Sequence, residues 1–125
     1  MVTANSRKAL IVDDQPSMRR VVRAYLETVQ HCAVIEAVNG IDAIKHLLGH
    51  RVDLIITDLV MPEMTGLELL GYVRRHQQFR HIPVIMLTSQ DDDTDRRKAM
   101  ALGVSDYLVK PFAPSTMKPL VEKYL

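Results

Sequence analysis

Four short apolar runs punctuate this chain, and each stops at a polar group. Ala9-Leu10-Ile11-Val12 runs into Asp13 and Asp14, Leu54-Ile55-Ile56-Thr57 into Asp58, Val84-Ile85-Met86-Leu87 into Thr88, and Tyr107-Leu108-Val109 into Lys110. Unbroken apolar runs of this length suit strands covered on both faces, as in the parallel sheet of an α/β protein. Parallel strands share a direction, so their carboxyl ends collect at one edge. Three carboxylates, one hydroxyl and one ammonium would meet there, at the edge where open α/β sheets bind ligands.

The intervening stretches read as helices. Pro16 suits a first helical position, with Asp14 or Gln15 as cap. Met18, Val21, Val22, Tyr25, Leu26 and Val29 then recur at helical spacing, with Arg19, Arg20 and Arg23 on the other side. Residues 33–37 form a short second strand, and Ile41, Ile44, Leu47 and Leu48 mark a second helix closed near Gly49. The third strand is Leu54 to Thr57. A loop from Leu59 to Met64 leads to Thr65 and Gly66, after which Leu67, Leu70 and Val73 stripe a third helix. Pro83 opens the fourth strand, where a residue without an N–H is tolerated. Asp91 to Thr94 offer caps and favourable charge to a fourth helix, which Gly103 ends. The fifth strand is Asp106 to Val109, and a last helix lies between Ser115 and Leu125.

Five strands alternating with five helices predict a doubly wound parallel sheet. Right-handed crossovers at this length favour the flavodoxin-like (βα)5 strand order 2-1-3-4-5. Strands 1, 3 and 4 then stand side by side with 5 at the edge, so the polar groups converge. A chain of 125 residues is read as a single domain, 1–125, with residues 1–7 expected as a flexible N-terminal segment. The net charge of +1 argues against bulk electrostatic binding to nucleic acid. Cys32 is the only cysteine, so no intrachain disulfide forms and a reducing compartment fits. No apolar run approaches the ~20 residues of a membrane span, and the opening residues lack the apolar stretch of a signal peptide. A cytoplasmic protein is expected.

Three crowded carboxylates repel one another unless a cation sits among them. An all-oxygen donor set suits Mg²⁺, which keeps several waters and takes one or two protein carboxylates. A carboxylate, a divalent metal, a hydroxyl and a lysine are the parts needed to hold a phosphoryl group on an aspartate.

The motifs Ile11-Val12-Asp13-Asp14, Asp58-Leu59-Val60-Met61-Pro62 with Gly66, Leu87-Thr88-Ser89, and Asp106-Tyr107-Leu108-Val109-Lys110-Pro111-Phe112 resemble those of the bacterial response-regulator receiver domain, in particular its single-domain chemotaxis type. The resemblance runs from about Lys8 to the end of the chain. It implies that Asp58 accepts a phosphoryl group from a phosphohistidine on a sensor histidine kinase or histidine phosphotransfer protein. It implies that Asp14, Asp58 and the Val60 carbonyl ligate Mg²⁺, with Asp13 acting through a bound water. Lys110 would pair with the phosphate and the Thr88 hydroxyl would bond another of its oxygens. Tyr107 would be a rotamer switch coupled to Thr88, and the Lys110-Pro111 bond would be cis. The residues two beyond Asp58 and two beyond Thr88, Val60 and Gln90, would tune phosphoryl lifetime. Output would pass to a downstream target protein through the fourth helix, fifth strand and fifth helix, near Arg96, Arg97 and Lys98, with no direct contact to nucleic acid or membrane. Such a chain is no enzyme beyond its own phosphorylation and dephosphorylation.

Taken singly, these residues have plainer readings. Asp13 and Asp14 serve as helix caps, Asp58 as a turn residue, Lys110 as a surface lysine and Tyr107 as edge-strand packing. The histidines show no metal-ligand spacing, and Arg74-Arg75 and Arg96-Arg97-Lys98 read as solvated helix faces. An aspartyl-nucleophile phosphatase would need a general acid two residues past Asp58, where Val60 cannot move a proton. A flavin carrier would need a phosphate loop where Asp13-Asp14-Gln15-Pro16-Ser17 places negative charge. A receiver fragment of a longer DNA-binding regulator is the remaining alternative. One departure from the family pattern is Pro119, inside the stretch of the fifth helix. The expectation is that this helix starts late, with Pro119 in its first turn, and is weakly held.

Overall fold

Along β1 (Arg7–Val12) alternate side chains enter two different cores, Leu10 and Val12 on one face of the sheet, Ala9 and Ile11 on the other. The two-residue period of a strand divides every central strand in this way. In the computed structural model, which describes residues 6–89 and 92–125, the chain alternates strands and helices throughout. β1 is followed by α1 (Pro16–Leu26), β2 (Cys32–Ala37), α2 (Gly40–Gly49), β3 (Leu54–Asp58), α3 (Gly66–Arg75), β4 (Val84–Thr88), α4 (Asp93–Ala101), β5 (Asp106–Val109) and α5 (Pro114–Tyr124). The strands are parallel in the order β2-β1-β3-β4-β5, as expected.

Helices α2, α3 and α4 cover one face through Ala43, Leu47, Leu69, Leu70, Val73 and Ala99. Helices α1 and α5 cover the other through Val22, Leu26, Met117 and Val121. The apolar periodicity located these helices but not always their buried sides. Val21, Ile41 and Leu48 lie exposed, and Leu69 is buried more deeply than Leu67.

The caps explain most boundaries. Asn39 accepts from the Asp42 amide at the start of α2, and Thr65 with Glu68 forms a capping box on α3. Asp92 accepts from the amides of Thr94 and Asp95 on α4, and Gly103, at φ +86°, turns the chain out of that helix. Gln15 occupies the cap position of α1 without a side-chain bond.

The fifth helix corrects the expectation. It starts early, at Pro114, and runs through Pro119. Met117 and Val121 are fully buried in the core beneath it, and the Tyr124 hydroxyl donates to the Ser105 carbonyl at 3.0 Å and bonds the Asp106 carboxylate. Burial, together with that carboxylate, pushes the Tyr124 pKa up to about 12. These anchors hold the helix across the hydrogen bond that Pro119 cannot donate. Smaller differences are that Pro83 precedes β4, its carbonyl accepting from the Ile55 amide, and that Val29 lies beyond α1. Residues 1–5 lie outside the described residues, and Arg7 already belongs to β1.

Candidate functional site

The carboxyl ends of β1, β3, β4 and β5 meet at one edge of the sheet, and the motif residues meet with them. Asp13 follows β1 and is buried, its amide donating to the Ala37 carbonyl and its Oδ1 accepting from the Gln15 amide at 2.9 Å. That bond closes a turn ahead of α1 and does not cap it, since the cap position belongs to Gln15 and its side chain makes no cap bond; neither Asp13 nor Asp14 is the cap residue. Asp14 beside it is exposed. Asp58 ends β3, and its Oδ1 accepts from the Leu59 amide at 2.8 Å. Lys110 follows β5 and sits between the acids, with Nζ 3.5 Å from Asp13 Oδ2 and 3.5 Å from Asp58 Oδ2. The Lys110-Pro111 bond is cis, as expected, and the Lys110 amide donates to the Thr88 carbonyl at 2.7 Å.

Electrostatics in the crevice are set by crowding. Burial pushes the Asp58 carboxyl above its ordinary range, and Asp13 adds to that push; Lys110 and the amides of Leu59 and Val60 oppose it. One oxygen from each of Asp13, Asp14 and Asp58 lies within 4.8 Å of the others. Oxygens in an octahedral shell at about 2.0–2.1 Å from an ion lie roughly 2.9 to 4.2 Å apart, so these carboxylates would close in on a bound Mg²⁺. The donor set, all carboxylate oxygen, also fits that hard ion. A cleft of about 870 Å³ opens at the other end of the sheet, beside Arg7, His31 and Lys118, away from this chemistry.

Thr88 ends β4 fully buried. Thr88 and Met86 point to one side of β4, and Tyr107 is paired in register with Met86. Thr88 and Tyr107 therefore share the α4 face of the sheet as diagonal neighbours, Tyr107 packing against the core there. Val60 is 53% exposed on the loop after Asp58. Gln90 lies outside the described residues. Gly66, at the start of α3, donates its amide to the Leu59 carbonyl at 2.8 Å. A Cβ there would stand 2.2 Å from the Asp58 carbonyl oxygen, which is why a glycine is required.

Three arginines on polar helix faces, Arg74 and Arg96 among those read as solvated, do more than meet solvent. Arg74 donates to the carbonyls of Gly103 at 2.9 Å and Ile82 at 2.7 Å, and burial lowers its pKa. Arg96 lies over the Tyr107 ring, and Arg19 donates to the Asp13 carbonyl. Nothing in a helical periodicity separates such residues from ordinary surface arginines, because each acts on a partner outside its own helix. Cys32 is half-buried, and burial pushes its thiol pKa up, which agrees with an unreactive side chain.

Comparison with known proteins agrees with this geometry. Residues 9–122 match the family model described as response regulator receiver domain. The chain is 39% identical to a chemotaxis protein CheY homolog of Campylobacter jejuni over 119 residues, which covers 94% of this chain and 92% of that protein. It is 40% identical to the transcriptional regulatory protein ResD of Bacillus subtilis, covering 91% of this chain but only 46% of ResD. Among solved structures, the chemotaxis protein CheY4 of Vibrio cholerae superposes with a TM-score of 0.88 at 34% identity, over 96% of this chain and 99% of that one. The chain belongs to the response-regulator receiver domain family.

Proposed function

We propose that this receiver is a phosphorylation-dependent switch in which Asp58 accepts a phosphoryl group from a phosphohistidine of a sensor histidine kinase or histidine phosphotransfer protein. The observation that carries this reading is the placement of Lys110 3.5 Å from both Asp13 and Asp58, at the edge where three carboxylates converge. An Asp58 oxygen forms the new bond to phosphorus as the P–N bond breaks, and the electron pair of that bond returns to the imidazole. Hydrolysis later breaks the P–O bond and restores the carboxylate with release of inorganic phosphate. Asp14, Asp58 and the Val60 carbonyl would hold Mg²⁺, with Asp13 acting through water. When bound, the ion supplies positive charge to the phosphoryl oxygens. Lys110 supplies charge to those oxygens from the protein side, and Thr88 offers its hydroxyl. Alignment and neutralisation are most of what a loose phosphoryl transition state asks of a protein.

The chain turns over no other substrate in this reading, since Val60 cannot serve as a general acid. With Gln90, Val60 tunes the lifetime of the phosphoryl group, and Val60→Asn, able to bond an attacking water, shortens it. The protein works in the cytoplasm; no helix among the described residues is long and apolar enough to cross a membrane. Output passes through the face of α4, β5 and α5 to a target protein.

Incubation with acetyl phosphate and Mg²⁺, followed by intact mass, tests the assignment. One phosphoryl mass is expected on the wild-type chain, and none on Asp58→Asn. Undiminished labelling of Asp58→Asn would overturn it.

A further inference from the structure

Arg19 closes the first turn of α1, and the chemistry proposed above makes no use of it. Its Nη1 donates to the Asp13 carbonyl at 2.7 Å while its Nε donates to Glu36 Oε1 at 3.1 Å, and its side chain is only 14% exposed. Glu36, on β2, is held in turn by Arg23 Nη1 at 2.7 Å. Two donors of one rigid guanidinium are thus committed in different directions, which fixes its plane.

The carbonyl that Arg19 grips belongs to the peptide joining the two acidic residues. A peptide is planar, so holding its oxygen also sets the direction in which the Asp14 backbone leaves. Asp13 is anchored independently by the Ala37 carbonyl and the Gln15 amide. Asp14 is exposed, and the peptide before it sets the position from which its carboxylate reaches out. We infer that Arg19 is a positioning residue for the metal site: it clamps the Asp13–Asp14 peptide so that the Asp14 carboxylate faces Asp58. The inference rests on the metal-site reading given above.

Charge and position predict opposite signs here. A guanidinium near a cation site repels the cation, so by charge alone the loss of Arg19 would tighten metal binding. Loss of an outer partner that orients a ligand weakens binding, by about ten- to a hundredfold in metal sites generally. A third role, tying α1 to β2 through Glu36, is shared by Arg23, which does not touch Asp13.

Mn²⁺ accepts the same oxygen donors as Mg²⁺ and reports its own free concentration by electron paramagnetic resonance. Titration with Mn²⁺ of the wild type, Arg19→Met, Arg19→Lys and Arg23→Met, each checked for folding by thermal melting, separates the three roles. Arg19→Met is expected to weaken Mn²⁺ binding by about tenfold or more, while Arg23→Met stays near the wild type. Arg19→Lys, whose single ammonium cannot reproduce the fork, should fall between. Unchanged or tighter binding in Arg19→Met, or an equal loss in Arg23→Met, would overturn the inference. If Arg19→Met does not fold, Arg19→Lys decides, and wild-type affinity in it would overturn the inference too. A wild type without saturable Mn²⁺ binding, or one whose binding survives Asp58→Asn intact, would instead defeat the metal-site reading itself.

Discussion

The Arg96 guanidinium lies 4.6 Å from the centre of the Tyr107 ring. A cation over a ring face is attracted by the quadrupole, at an exposed site by ~0.5–1 kcal/mol. If a phosphoryl group draws the Thr88 hydroxyl and Tyr107 turns inward to fill the space, the ring must leave that cation. Arg96 then favours the unphosphorylated packing. By reciprocity, Arg96→Ala should bind the phosphate mimic beryllofluoride roughly two- to fivefold more tightly. Equal or weaker affinity would count against coupling between this pair and the acidic site.

The raised pKa of Asp58 has a definite sign in stability. Unfolded, the carboxyl releases its proton near 3.8; folded, burial and then the charge of Asp13 make it hold the proton to higher pH, against the pull of Lys110. The folded state binds more protons across that window, so this group's contribution to stability is lost as pH rises through it. Asp58→Asn should therefore melt above the wild type at neutral pH without metal. The gap should close as pH falls toward 3.8. Melting curves showing a constant gap, or a more stable wild type at neutral pH, would refute this.

Lys110 is the cation that lets Asp13 and Asp58 face one another. Both lysine and Asp58 side chains keep 12% exposure, so removing the lysine costs less than in a fully dry pair. Lys110→Met should lose about 1–3 kcal/mol at neutral pH by urea unfolding, below the range for wholly buried pairs. Added Mg²⁺ should return part of that loss. A variant as stable as the wild type, or one indifferent to Mg²⁺, would show that the lysine does not balance this charge.

Pro119 is exposed on α5, so its replacement disturbs no core side chain. Pro119→Ala restores the amide that would donate to the Ser115 carbonyl and removes the ring clash with that turn. Part of the ~3 kcal/mol interior penalty is offset because proline also restricts the unfolded chain. A gain of roughly 1–2 kcal/mol is expected, with stronger amide protection across residues 115–125. A loss of stability would mean that the helix is already adapted to its proline.

The fold was legible because strand and helix periods are local, and because alternate strand residues must serve two buried layers. The site was legible because a parallel sheet brings strand ends together, so Asp13, Asp58, Thr88 and Lys110 could be placed without any distance. What escaped was the work of long side chains reaching outside their own helices: Arg19 to a carbonyl on the loop before α1, Arg74 to Gly103, Arg96 to Tyr107. Pro119 misled for a different reason. Its local penalty argued for a late helix, but Met117 and Val121, fully buried, outweigh one missing hydrogen bond.

Gly66 pins the far end of the loop after Asp58 to the backbone where that loop begins, since its amide meets the Leu59 carbonyl and a Cβ would strike the Asp58 oxygen. Val60 to Thr65 thus hang from a closed base, like an interchangeable cassette. The exposed Val60, Pro62 and Glu63 can be exchanged within it while Met61 stays in the core, Thr65 caps α3 and the aspartate keeps its station. If Val60 tunes the lifetime of the phosphoryl group as proposed, the pace at which the switch resets is free to drift, or to be engineered, independently of the frame that holds it.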